Sequence, residues 1–277
     1  MSVRRRRLRL LLIYLACAVL LFWALAPIYW VVVSSISTRV ELYAAPQKIW
    51  FPSQPTLENY LALFGGGDGY RGANATPTAD LMLTGLRNSI VTSLSAATLV
   101  TLLCTGAGYV FARMRFRGKG ISFLFVMLLM PLPLWVALIA LFFIMSKLGL
   151  VDTLPGLVIL FTVFQVPLAV WLMATFVRDI PVDVEEAGLV DGATRWQILR
   201  HLVAPLARPG MVAVFLVTLL TTWNGFMIPL MFSRTEASQT MTVVLTLFIG
   251  QYEVAWEAMC AAAVVTMLPP FLLALFF

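Results

Sequence analysis

Residues 153–177 read TLPGLVILFTVFQVPLAVWLMATFV, 25 positions without an Asp, Glu, Lys or Arg. A helix rises about 1.5 Å per residue and crosses the roughly 30 Å hydrocarbon core of a bilayer in about 20 residues, so this stretch is long enough to span one. Five further charge-free runs of 20 residues or more share the property: Leu10–Thr38, Asn88–Ala112, Ile121–Ser146, Pro209–Ser233 and Ala258–Phe277. The 277-residue chain is 61% apolar and 12% charged. Soluble domains carry about 25% charged residues, so this one lacks the polar side chains to coat a water-facing surface. The reading is an all-α integral membrane protein, one transmembrane domain over 1–277, with six spans near 10–36, 88–112, 121–146, 153–177, 209–233 and 257–277. A shorter charge-free run, 237–252, is interrupted by Ser238, Gln239, Thr240, Thr242 and Thr246, and is expected at the interface or outside rather than as a crossing.

Arg4–Arg7 ahead of an apolar run imitate a signal peptide, but that run continues to Val33. A signal core is only about 7–15 residues, so a retained first span is expected. With the N-terminus inside, segments 1–9, 113–120 and 178–208 are cytoplasmic and hold 13 of the Lys and Arg residues. The other side holds six: Arg39, Lys48, Arg71, Arg87, Lys147 and Arg234. That excess belongs on the cytoplasmic side, so the net charge of +6 is a topology signal and not a nucleic-acid-binding stripe.

Several chemistries are excluded. Cys17, Cys104 and Cys260 lie inside spans without paired spacing and read as small apolar packing residues. His201 is the single histidine, which leaves no cluster for a metal or a catalytic triad. Gly65-Gly66-Gly67-Asp68-Gly69 is not followed by Gly-Lys-Ser/Thr and opens no helix, so it reads as a flexible loop rather than a phosphate cradle. Pro27, Pro131, Pro133, Pro167, Pro229, Pro269 and Pro270 fall in or near spans and predict a bundle built to bend. No charge sits in the middle of a span and no two-half repeat is visible. Ion-driven carriers depend on such features, so the energy for any transport is expected from outside this chain.

The connection between the fourth and fifth spans is the most informative segment. It runs Ile180-Pro181-Val182-Asp183-Val184-Glu185-Glu186-Ala187-Gly188-Leu189-Val190-Asp191-Gly192, then Ala193-Thr194-Arg195-Trp196-Gln197-Ile198-Leu199-Arg200-His201-Leu202-Val203-Ala204-Pro205. Pro181 suits a first helical turn. Asp183, Glu185 and Glu186 place negative charge at that helix's positive end, and Gly192 stops it. Thr194 with Gln197 makes a capping box for a second helix, whose apolar side (Ile198, Leu199, Leu202, Val203) continues until Pro205 ends it. The pattern predicts a short helix–turn–helix in the cytosol. Its first helix is acidic, which an anionic leaflet repels, and small at Ala187 and Gly188, which lets another backbone approach. Docking into a protein groove fits these residues better than lying on a bilayer.

Glu186-Ala187-Gly188, three residues, Gly192, nine residues, Leu202-Val203-Ala204-Pro205 resembles the EAA motif of ABC-importer permeases, Glu-Ala-Ala-x3-Gly-x9-Ile-x-Leu-Pro. Gly188, Leu202 and Ala204 depart from it, each keeping small or apolar character. Asp191-Gly192-Ala193, Pro205-Leu206-Ala207-Arg208-Pro209, Asn88-Ser89, Tyr109-Val110-Phe111-Ala112-Arg113 with Phe116-Arg117-Gly118, and Trp223-Asn224-Gly225-Phe226 with Pro229-Leu230 resemble the carbohydrate branch, the maltose-type inner permease subunits.

The resemblance implies a multi-pass permease subunit of the bacterial inner membrane that does no chemistry. It implies four kinds of companion: a second, different six-span permease subunit, two cytoplasmic ABC ATPase subunits, an extracellular or lipoprotein solute-binding protein that delivers a sugar, and membrane lipid. The chain has no Gly-x4-Gly-Lys-Ser/Thr and no base or nucleophile set, so ATP and Mg are expected on the ATPases, with no cofactor, catalytic residue or metal here. The ATPase-coupling residues are expected to be Glu185, Glu186, Ala187, Gly188, Asp191, Gly192 and Pro205, on a coupling helix over 182–191. Asn88, Gln165, Trp223 and Asn224 are candidates for the substrate pathway, since an aromatic beside an amide suits sugar faces and hydroxyls, although buried Asn also joins helices. The segment 233–257 resembles the loop that meets the binding protein. Two other readings compete: a same-build permease for glycerol-phosphate or another polyol, and a non-transporting membrane scaffold or sensor. The first would favour basic residues along the pathway; the second leaves the ordered motifs unexplained.

Overall fold

The computed structural model describes residues 3–43, 50–65, 79–131, 134–250 and 254–276. Apart from one isolated bridge between Ile249 and Val254, the regular structure among them is helical. The chain folds as two units, residues 83–243 and residues 1–82 with 244–277. Among the described residues, four helices are long and apolar enough to cross a membrane, or five if the bent pair 195–206 and 208–223 counts as one span. The Gly66–Gly69 part of the glycine patch and Pro133 lie outside the described residues.

In the unit formed by 1–82 and 244–277, helix α1 (Val3–Ser35) carries Pro27 and leaves most of its apolar side chains exposed, Phe22 and Trp23 among them. Its C-terminal carbonyls need partners, because the last turn of any helix leaves four without one. The Asn59 amide serves one of them, donating to the Ser35 carbonyl at 2.9 Å, and also donates to the Ser37 carbonyl just beyond the helix at 3.0 Å. The Ser35 hydroxyl also meets the Tyr60 hydroxyl at 2.7 Å. Helices α2 (Arg39–Tyr43) and α3 (Glu58–Leu63) follow in the connection after α1.

The unit 83–243 is organised on α4 (Ala79–Arg113), which begins nine positions before the expected span. At 35 residues it exceeds what a bilayer core requires, and the charge-free 88–112 is its apolar portion. Two expected spans are not continuous helices. The run 121–146 is divided into α5 (Lys119–Met127) and α6 (Leu134–Lys147), with Pro131, which has no N–H to give, in the gap. Helix α7 (Leu154–Arg178) is unbroken, capped by the Thr153 hydroxyl accepting from Gly156 N–H at 3.1 Å. Beyond it lie α8 (Val182–Val190), α9 (Arg195–Ile198), a π turn (Leu199–Val203) and α10 (Ala204–Leu206). The run 209–233 divides into α11 (Arg208–Trp223) and α12 (Met227–Phe232). A Cβ on Gly225, in that gap, would lie 2.5 Å from a ring carbon of Phe161, so only glycine lets the chain turn against α7 here. Gly108 does the same for α4: a Cβ would fall 2.6 Å from that of Met173. Val100, Cys104, Met173, Val177, Ile198 and Val203 form the core that this close approach permits.

The segment after α12 leads into α13 (Met241–Val244) and a 3₁₀ turn (Leu245–Phe248), and α14 (Trp256–Phe276) closes the chain. This segment has buried anchors at Ser238, Met241 and Phe248. Asp152, in the left-handed region at φ 60°, is its hub. Its carboxylate accepts the Arg234 N–H at 2.8 Å, the Thr235 N–H at 3.0 Å, the Thr235 hydroxyl at 2.7 Å and the Ser238 hydroxyl at 2.6 Å. Burial pushes the Asp152 carboxyl up, but those hydrogen bonds outweigh it and hold its pKa at about 2, below the ordinary 3.8. A depressed folded pKa means that the contribution is complete above 3.8 and disappears as pH falls through about 2. Asp152→Asn is therefore expected to lower the thermal unfolding midpoint of the detergent-solubilised protein at neutral pH. That difference should shrink across the window from 3.8 down to about 2, as a thermal-shift series over pH would read.

Candidate coupling site

Helix α8 begins after Pro181, extended at φ −56°, ψ 134°, and carries Asp183 and Glu185 in its first turn. It ends in a full Schellman motif: Ala193 N–H donates to the Gly188 carbonyl at 2.9 Å and Gly192 N–H to the Leu189 carbonyl at 3.1 Å. Gly192 sits at φ +80° with nothing within 4 Å of where a Cβ would be, so the backbone angle alone calls for glycine. The next helix opens with the expected capping box, Thr194 and Gln197 exchanging both bonds. Pro205 differs from expectation: it does not end this helix but sits inside α10, and the end comes after Leu206. Because Pro205 offers no N–H, the ladder before it widens into the π turn, where Ala204 N–H reaches back to the Leu199 carbonyl. The segment Arg195–Leu206 then meets α11 at a bend of 77°.

The two neighbouring acids of α8 point opposite ways. Glu186 is exposed, whereas Glu185 is 2% exposed and engaged inside the protein. The Arg113 guanidinium, at the end of α4, donates through Nε to the Glu185 carboxylate at 2.6 Å. The same guanidinium donates to the Val177 carbonyl at 2.8 Å and to the Ile180 carbonyl. The Tyr109 hydroxyl donates to Glu185 at 3.2 Å, and Arg195 stands 3.9 Å away. Glu185, expected among the ATPase-coupling residues, is turned inward here, and its carboxylate fastens α8 to the ends of α4 and α7. Gly188 is also turned inward, its absent Cβ 2.8 Å from a methyl of this chain's own Leu202, so its smallness serves internal packing. Ala187, Asp191 and Gly192 are exposed, and Pro205 is half-buried at the bend. The outward face adds Val190, 87% exposed, and Trp196, 66% exposed, large apolar groups left open to solvent.

The four pathway candidates are not brought together. The Asn88 amide is buried and donates to the Glu236 carbonyl at 3.1 Å and the Gln239 carbonyl at 3.0 Å, so it anchors the 233–241 segment. Trp223 is buried. Gln165 of α7 donates to the Thr221 hydroxyl of α11, and the exposed Asn224 donates to the Leu220 carbonyl at 2.9 Å. Tyr109, Arg113, Asp152 and Thr221 were absent from the expected sites. Tyr109 and Arg113 stand one helical turn apart at the end of an apolar run, a pattern that could have marked Arg113 as more than a topology charge.

With this geometry in hand, comparison with known proteins places the chain. Residues 105–277 match the family described as binding-protein-dependent transport system inner membrane component. The diacetylchitobiose uptake system permease protein NgcG of Streptomyces coelicolor is 31% identical over 91% of this chain and 80% of its own. The trehalose transport system permease protein SugB of Mycobacterium tuberculosis is 32% identical over 92% of this chain and 88% of its own. A chain from the crystal structure of a bacterial ABC transporter for import of the acidic polysaccharide alginate shares the fold at a TM-score of 0.80, with 21% identity over 99% of this chain and 96% of that one. The chain belongs to the family of inner membrane components of binding-protein-dependent transport systems.

Gly192→Ala is expected to destabilise the protein by about 1–2 kcal/mol, the cost of a left-handed non-glycine residue. Gly188→Ala should be nearly neutral, because the atom its methyl meets is the movable end of Leu202. Thermal unfolding of the two purified variants distinguishes them, and reversal of that order would refute the assignment of their roles.

Proposed function

We propose that this chain is a permease subunit of an ATP-driven importer that takes up a neutral sugar, and that α8 is the element on which a separate ATPase acts. The observation that carries the reading is the outward face of α8: Glu186, Ala187 and Val190, with Trp196 beyond the turn, are exposed at the position of the family's motif. An acidic residue ringed by uncovered apolar groups on a capped, rigid helix suits a groove in a soluble partner. Six crossings follow if the α5–α6 and α11–α12 stretches each traverse the membrane once, with the N-terminus and α8 in the cytoplasm and the 233–241 segment outside. The distribution of Lys and Arg supports that orientation.

The full system on this reading comprises a second, different permease, two ATPases holding ATP and Mg, and an external binding protein. The relatives' uptake of diacetylchitobiose and transport of trehalose support a sugar as cargo. Polar groups facing lipid are costly, so the Gln165–Thr221 pair turns toward a cavity or toward the second permease. Those groups are uncharged, which favours a neutral sugar over a glycerol-phosphate ester.

Glu186→Lys tests the docking face. In cells carrying the complete system, this variant should reach the membrane in normal amount and fail to accumulate labelled sugar, an uptake loss of about tenfold or more as befits a reversed charge at a docking centre. Normal uptake by this variant would exclude α8 as the docking element.

A further inference from the structure

Helix α4 is held by polar side chains at both ends and packed tightly in between. At Arg113 its last side chain grips Glu185 of α8 and the Val177 and Ile180 carbonyls at the end of α7. At the other end, the Asn88 amide donates to the Glu236 and Gln239 carbonyls, and the Ser89 hydroxyl accepts the Met241 N–H at 2.8 Å. Asp152 fastens the same segment through Arg234, Thr235 and Ser238. Between the two clamps α4 is unbroken and contains no proline. Its 25 residue steps from 88 to 113 span roughly 38 Å at about 1.5 Å per residue.

A rigid helix clamped at both ends passes displacement along its axis, whereas a kinked or loosely packed one absorbs it. Helix α8 is joined to α7 by a short connection, but that connection is itself held by the Arg113 guanidinium. Movement of α8 therefore displaces the end of α4 together with the end of α7. From these contacts we propose that α4 is the rod linking the ATPase-facing helix to the 233–241 segment at the opposite end, with Arg113 and Asn88 as its two positioning residues. On the importer reading, on which this inference rests, the rod reports arrival of the loaded binding protein to the ATPases, and ATP-driven closure back to the binding protein's side.

The test is a double-mutant cycle in the complete transporter, reconstituted in nanodiscs with its binding protein and that protein's sugar. Arg113→Gln and Asn88→Ala are made singly and together. The quantity read is the ratio of ATP hydrolysis with sugar-loaded binding protein to hydrolysis without it. Co-purification of the ATPases and thermal stability are followed in parallel. Each single change is expected to reduce the ratio about fivefold or more, within the usual range of coupling between distant sites. Sites this far apart ordinarily act independently and their effects multiply. Serial links do not: the double variant should be no worse than the poorer single one. A double variant whose loss equals the product of the singles, or singles with unchanged ratios, overturns the proposal. Should either change prevent assembly, Tyr109→Phe and Ser89→Ala remove one hydroxyl at each clamp and take the same cycle, with the same outcomes deciding. If the unaltered complex shows no sugar-dependent hydrolysis at all, the importer reading fails first and this inference falls with it.

Discussion

Arg113 and Glu185 set the geometry on which the informative end of this molecule depends. Their side chains are 12% and 3% exposed and 2.6 Å apart. Withdrawing charges from water costs several kcal/mol each, offset only when pairing and hydrogen bonding are complete. Here they are: the guanidinium also serves the Val177 and Ile180 carbonyls where α7 ends, and the carboxylate takes the Tyr109 hydroxyl as well. Removing one partner of such a pair commonly costs about 3–5 kcal/mol, because the other charge stays buried alone. The pair fixes the rotation of α8 about its own axis. Once Glu185 points in, Gly188 must fall against Leu202, and Glu186, Ala187 and Val190 must face out.

The opposite end obeys the same logic with a different group. Asp152 takes up the backbone of a returning segment as Arg113 takes up the end of α7, each with one planar group serving several chain sites. Between these ends glycine governs the spacing. Gly108 brings α4 onto α7, and Gly210 admits the Phe176 ring, which a Cβ would approach to 2.5 Å. Apolar surface gives little drive to associate where lipid is as apolar as leucine, so close backbone approach and polar clamps carry the packing. That constraint explains why the polar contacts concentrate at the helix ends.

Much of this was legible in the sequence. Charge-free length announced the membrane class, and capping residues announced α8 and its successor, because caps are local and depend on residues three or four apart. What lay hidden depended on distance along the chain. Glu185 and Glu186 look alike as neighbours, yet successive helical residues differ by about 100° around the axis, and the partner that chooses between them lies 72 residues upstream. The anchoring contacts of Asn88 were hidden too, because its acceptors at 236 and 239 cannot be foreseen from position 88. The two divided spans carried a local sign in Pro131 and Gly225, but apolarity persists through both gaps, and composition alone cannot show a break. Pro205 read as a terminator because proline ends most helices, while a π turn here accommodates it.

Site-directed cross-linking tests directly whether the outward face of α8 seats the ATPase. Single cysteines at Val190 and at Arg117, in a version lacking the native Cys17, Cys104 and Cys260, would be treated with a short bifunctional thiol-to-amine reagent in membranes containing the whole complex. A covalent product between Val190→Cys and an ATPase subunit is expected, with yield changing when ATP is added, and little product from Arg117→Cys. Strong cross-linking from Arg117→Cys with none from Val190→Cys would contradict it.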